Sequence, residues 1–176
     1  GEFTEFTVAD PNNAKAWWIP AGEWNRYEQL YRTTPADAVG VAHTPITMKL
    51  EDGTHLSFHE AALVDYAGYW FKRASGQTFR TTLSPSSRGA KVVRDLPFAT
   101  PWRTVRIADG AAGLVDNDLE LNLNEPNKLG DVSWFKPAKY LGVWWGMHLD
   151  TQSWGVGPKH GATTENVKRY IDFASK

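Results

Sequence analysis

Apolar and polar positions alternate through much of the first two thirds of this chain, which is the period of half-buried β-strands. Ile46–Leu50 and Thr54–Leu63 flank Glu51-Asp52-Gly53, a short glycine-containing connection that predicts a hairpin. A second hairpin is predicted where Ala67–Arg73 and Thr78–Ser84 surround Ala74-Ser75-Gly76. Further strand candidates are Lys91–Arg94, Trp102–Ala108, Leu114–Val115 and Leu119–Asn122. Phe3–Val8 also alternates, while Pro11, Pro20 and Pro35 argue against long helices over residues 1–36. Short strands separated by turn residues at this spacing predict an antiparallel β-sandwich over residues 1–121.

The pattern then changes. Residues 122–138 read as an irregular connector. After it, Tyr140–His148 is the dense apolar run YLGVWWGMH. Read as a strand, it points Trp144 and Trp145 to opposite faces and so expects apolar cover on both, as strands of α/β barrels have. Val167, Tyr170, Ile171 and Ala174 follow at offsets 0, 3, 4 and 7, one helical stripe, with Thr163 and Thr164 as caps. Residues 139–176 thus read as the first strand and helix of a (β/α)8 barrel whose other elements lie elsewhere, and the fold class is mainly β. A βα unit of this kind cannot hide its own apolar surface. Trp144, Trp145, Val167, Tyr170 and Ile171 predict docking onto a missing barrel domain or association between copies.

Charged residues make up 22% of the chain with a formal net charge of −1, which excludes the clustered basic footprint of a nucleic-acid or anionic-membrane binder and points to a neutral ligand. Zero cysteines exclude a disulfide framework and leave the compartment open. No apolar window approaches the length of a membrane span, and the GEFTEFT start has neither a basic nor an apolar leader region. Gly1–Phe3 reads equally as a trimmed terminus or a cloning remnant. Nine Trp, six Tyr and eight Phe make 13% aromatics; such rings either stack on sugar faces or fill a core.

Ser57-Phe58-His59-Glu60-Ala61-Ala62 places His59 and Glu60 on opposite faces near the end of a predicted strand, so only one of them can face a cleft. Glu60 is the better candidate, either as a hard oxygen ligand for calcium or as a solvated edge carboxylate. His55 and His59 share a face, but two histidines without a third convergent ligand are a weak metal motif. Leu119–Asn124 alternates so that Glu120, Asn122 and Asn124 share one polar face, which either meets sugar hydroxyls or is solvated. Trp134, within Gly130–Pro137, reads as a packing plug or a sugar platform. No phosphate-binding glycine loop, nucleophile elbow or HExxH helix is present, and no spacing identifies the two carboxylates that glycoside hydrolysis needs.

Four collinear segments between about Ala38 and Lys176 carry a more specific signal. TPITMKLEDGTHLSFHEAALVDYAGYWFKR, FATPWRTVRIADG, DLELNLNEPNKLGDVSWFKPAKYLGVWWGMHL and HGATTENVKRYIDFASK resemble glycoside hydrolase family 97, and within it the α-glucosidases of bacterial starch-utilisation systems. The resemblance implies a periplasmic or secreted, calcium-dependent α-glycosidase acting on α-linked oligosaccharides, built from a β-supersandwich, a (β/α)8 barrel and a small C-terminal β domain. It implies that this chain holds the later sandwich and the start of the barrel. By the same resemblance, Glu60 in the HEAA motif is a ligand of the active-site calcium. His148, at the end of the first barrel strand, becomes a substrate-pocket residue. The catalytic carboxylates belong to later barrel strands, so none is assigned here and no autonomous hydrolysis is expected. The alternative function is a stand-alone carbohydrate-binding sandwich module. Preference for glucosides over galactosides, and retention or inversion, depend on residues outside this chain.

Overall fold

A computed structural model describes residues 4–23 and 27–176. The chain divides into two compact units, Gly1–Pro126 and Asn127–Lys176. Among the described residues the first holds nine strands in two antiparallel sheets: β1 (Glu5–Thr7), β2 (Lys15–Trp18), β3 (Arg32–Pro35), β4 (Val41–Ala42), β5 (Ile46–Lys49), β6 (His55–Ala61), β7 (Tyr69–Ser75), β8 (Thr78–Leu83) and β9 (Trp102–Ala108). One sheet runs β1-β8-β7-β4 and the other β3-β2-β5-β6-β9. Both predicted hairpins are present, and their glycines explain why. Gly53 (φ +93°) and Gly76 (φ +44°) supply the left-handed residues that tight connections between β5 and β6, and between β7 and β8, require.

The inner faces of the two sheets meet through aromatic rings. Phe71 of β7 stacks on Phe79 of β8 at 4.8 Å and packs against Phe58 of β6 at 4.9 Å, with Phe6 of β1 edge-on to Phe58. Ile46, Met48 and Phe79 are completely buried around them. Phe58, Tyr69, Phe71 and Phe79 are therefore core, and Trp18 of β2 joins them with its indole N–H donating to Thr34 Oγ1, whereas many of the other described aromatics are exposed. Strands β2 and β3 had no clear signature, although Ala16 and Trp18 alternate inward in β2. Phe3, at the start of the predicted Phe3–Val8 segment, and the predicted remnant Gly1–Phe3 lie outside the described residues.

Three predicted strands of this unit are something else. Lys91–Arg94 is irregular: Val92 packs on the core while Val93 is exposed, and Arg94 donates to the carbonyls of Val64 and Asp65, so side chains rather than a ladder hold it. Leu114–Val115 lies in the one-turn helix α1 (Ala111–Val115), with Leu114 buried. Leu119–Asn122 lies in α2 (Leu119–Leu123). Both helices cover β6 and β9 on the sheet face turned away from the core. Leu and Glu are good helix formers, and helical geometry lets Glu120 reach Arg106 and Thr104 of β9. Glu120 and Asn124 are thereby engaged, the latter accepting from the Ala62 N–H, so the expected open amide face does not exist as such. Asn122 is exposed.

The second unit contains α3 (Trp144–His148) and α4 (Thr164–Ala174). Helix α4 appears where the stripe predicts it, with Thr163 as N-cap accepting from the Asn166 N–H at 3.1 Å. The predicted strand over Tyr140–His148 does not form: residues 140–143 are irregular and the rest is a single helical turn. A strand needs a neighbouring strand for its N–H and C=O groups. Among the described residues this unit offers none, so the run satisfies itself locally. Its only buried residues are Gly146, Gly161 and Asn166. Trp144 and Trp145 are exposed, as are Val167 and Ile171 of α4, so this unit does not bury its own large apolar side chains. Trp134 is 70% exposed against the edge of Phe135 and plugs nothing. Among the described residues, no helix is long and apolar enough to cross a membrane.

Candidate functional site

The geometry around Glu60 follows from β6. Its even residues, Leu56, Phe58 and Glu60, share the face turned to the core, so the apolar row ends in a carboxylate at one end of the sandwich. Directly across the β6–β9 ladder stands Arg103, whose guanidinium pairs with Glu60 Oε2 at 2.5 Å. Both side chains are 8% exposed. The guanidinium also lies over the ring of Tyr69 from the opposite sheet, 4.6 Å from its centroid, and the Tyr69 hydroxyl donates to the His59 carbonyl at 3.1 Å. Glu60 Oε1 faces Gly68, where an added Cβ would sit 3.4 Å away. Ala62, in the left-handed region at φ +52°, ends the strand immediately beyond.

A cleft of about 270 Å³ opens here, lined by His43, Thr44, Glu60, Tyr69, Trp70 and Ser84 among others. His43 follows β4, and its ring centroid lies 4.7 Å from that of Tyr27 with the two planes tilted by 56°. Burial holds its imidazole below the usual histidine range. Sequence reasoning singled out Glu60 and missed the rest of this lining. His43 and Trp70 are brought together by the β4–β7 pairing, which the short Val41–Ala42 strand did not announce.

His59 faces the other way, toward the helices. Burial first, and the Arg106 charge second, push its pKa down. His55 Nδ1 is within 2.8 Å of the Gly53 carbonyl. Neither ring joins a metal cage: among the described residues no three His, Asp or Glu side chains converge. Calcium takes about six to eight oxygen ligands. The residues present therefore do not build a calcium site by themselves. Glu60 fits as a single hard-oxygen donor whose second oxygen is already paired with Arg103. His148 lies in the second unit, exposed, with its ring 4.5 Å from that of Trp144 and 6.0 Å from that of Trp145. It is a member of an aromatic cluster on α3 and not the end of a strand.

Residues 1–126 match the family model described as glycosyl-hydrolase 97 N-terminal, and residues 144–176 match that of glycoside hydrolase 97. A glycoside hydrolase family 97 enzyme from Pseudoalteromonas sp. strain K8, solved in complex with acarbose, is 55% identical and superposes with a TM-score of 0.91 over 98% of this chain and 26% of its own. A variant of that enzyme in complex with panose gives a TM-score of 0.90 at 55% identity over 97% of this chain and 26% of its own. A retaining α-galactosidase of Bacteroides thetaiotaomicron is 25% identical over 86% of this chain and 26% of its own length. The chain thus spans about a quarter of these relatives. With the sandwich, its Glu60 cleft and both helices of the following unit falling in matched segments, the chain belongs to glycoside hydrolase family 97.

Proposed function

We propose that this chain supplies the later sandwich and the entry to the barrel of an α-glycosidase that hydrolyses α-linked oligosaccharides outside the cytoplasm, and that it does not hydrolyse them alone. The collinear match of both units to one hydrolase family carries this reading. In this reading the acid carboxylate and the base or nucleophile that glycoside hydrolysis needs, about 5–10 Å apart across the scissile bond, come from barrel strands outside this chain. In this reading Glu60 reaches from the sandwich to contribute one oxygen to a calcium ion, with Arg103 holding the carboxylate in place. The ion would supply positive charge and orient the substrate. His148 would line the sugar pocket once a neighbouring barrel strand lets its segment pair.

The test is expression of the gene with whatever reading frame follows Lys176, beside the 176-residue chain. The longer product should release nitrophenol from an α-glucoside or an α-galactoside and lose activity in a chelator, while the short chain should match a mock purification. Hydrolysis by the short chain, or none by a longer product that contains a barrel, overturns the reading.

A further inference from the structure

Asp-Gly occurs twice in the chain, at Asp52-Gly53 and Asp109-Gly110, and Asn-Gly not at all. Such a dipeptide is chemically distinctive because glycine has no side chain to keep its backbone nitrogen away from the carboxyl carbon of the preceding aspartate. The fold treats the two dipeptides differently. At the β5–β6 hairpin both reacting groups are held: the Thr54 N–H donates to Asp52 Oδ1 at 2.8 Å, and the Gly53 N–H donates to the Leu50 carbonyl at 3.1 Å. The Thr54 N–H first, and its hydroxyl second, keep the Asp52 carboxyl below the usual carboxylate range, in the charged form whose oxygen is a poor leaving group. Asp109-Gly110 follows the end of β9. Asp109 is exposed, and among the described residues neither its carboxyl nor the Gly110 N–H has a hydrogen-bond partner.

We infer that Asp109-Gly110 is a site of spontaneous aspartate isomerisation, a modification that the fold confines to this one of the two dipeptides. The Gly110 nitrogen attacks Cγ of Asp109 in its protonated form. The N–Cγ bond forms, the Cγ–OH bond breaks, and the departing hydroxyl takes the N–H proton and leaves as water. Water then opens the succinimide at either carbonyl, which restores aspartate or leaves isoaspartate, with the chain running through Cβ and Cγ. Nothing is oxidised or reduced, and the mass is unchanged. The methylene gained by the backbone lengthens a connection that has no slack. Gly110 immediately precedes α1, and a Cβ placed on Gly113 would sit 2.9 Å from that of Ala108, closer than two such carbons approach. Helix α1 must therefore shift on its sheet, which loosens the buried Leu114 and the 2.7 Å hydrogen bond from Arg106 Nη1 to the Leu114 carbonyl. The modification needs no metal, ligand or barrel residue and is independent of the glycosidase reading.

The experiment keeps the 176-residue chain in warm neutral buffer for weeks and measures isoaspartate at each dipeptide by peptide mapping against synthetic isoaspartyl peptides. A parallel incubation in guanidinium chloride gives the reactivity of the same two dipeptides without the fold. Unfolded, both should convert at similar rates. In the folded chain Asp109 should convert and Asp52 should lag by about tenfold or more, because its hydrogen-bonded groups must first open locally. Gly110→Val should suppress conversion at Asp109 and leave Asp52 as it was; the backbone at φ −160° is extended, and an added Cβ there meets no atom within 4 Å. In the isolated isoaspartyl species, amide deuterium uptake over Ala111–Val115 should rise while that of β7 is kept. No isoaspartate at Asp109 in the folded chain, equal folded-state rates at Asp52 and Asp109, or unchanged uptake over α1 overturns the inference. None of these outcomes touches hydrolysis by a longer product, so the two proposals fail separately.

Discussion

Glu60 and Arg103 face each other across the β6–β9 ladder, 43 residues apart in sequence, and form an ion pair at 2.5 Å with both side chains almost fully buried. Such a pair is costly to break by halves. Removing one partner leaves an uncompensated charge out of water, whereas removing both can be nearly neutral. Arg103→Met should therefore destabilise the sandwich by about 3–5 kcal/mol in urea unfolding, and adding Glu60→Gln to that variant should recover a large part of the loss. Additive losses in the double variant would show that the pair is not coupled.

The same pairing limits what calcium can do to this chain. One carboxylate, already neutralised by a guanidinium, leaves water to fill the rest of the ion's shell. The melting temperature in millimolar calcium should match that in chelator. A clear rise that disappears in Glu60→Gln would reveal further oxygen ligands gathered by this chain.

Acid sensitivity should come from two histidines. Burial lowers the pKa of His43, and burial followed by the nearby Arg106 charge lowers that of His59. Above the ordinary value of 6.5 both states are neutral at these rings and stability is unaffected. As pH falls below 6.5 the unfolded chain takes up protons first, so stability drops until the folded-state values are reached. His59→Gln should flatten that decline in pH-dependent urea melts. A decline unchanged in both His59→Gln and His43→Gln would place its origin elsewhere.

Core variants should report on the aromatic layer that joins the sheets. Phe71 is completely buried between Phe79 and Phe58, so Phe71→Ala removes contacts to both sheets at once. A loss of about 3–5 kcal/mol in urea unfolding is expected. A loss below 1.4 kcal/mol, the equivalent of a tenfold change in the unfolding constant, would mean that the two sheets do not share this core.

The legibility of this chain follows the range of its interactions. Hairpins were readable because Gly53 and Gly76 sit between alternating segments and the turn is settled within a few residues. Glu60 was readable as the polar end of an apolar face. Arg103 was not, since its role depends on the register of two strands far apart in sequence. Leu119–Leu123 is too short to separate alternation from helical spacing, and the ion pair with Arg106 on the covered sheet decides for the helix. The YLGVWWGMH run is a different failure. Its apolar density does signal a buried strand, but a strand exists only beside another, and this unit supplies no neighbour among its described residues.

That uncovered second unit has a consequence in solution. Trp144, Trp145, Leu149, Trp154, Ile171 and Phe173 are all more than half exposed on a unit of some fifty residues that buries no apolar side chain. Monomers rarely leave so many large apolar side chains of one small unit in water, where burial yields about 25 cal/mol per Å². A second copy of the chain brings the same surface, so self-association is expected, with the mass measured by light scattering rising with concentration. Ile171→Glu and Trp145→Glu, at exposed positions, should lower that mass without moving the unfolding transition of the sandwich, because the substituted side chains lie outside its core. A concentration-independent monomer would show that this surface is covered in solution from within the chain, and the two glutamate variants would then lower the stability they were expected to leave alone.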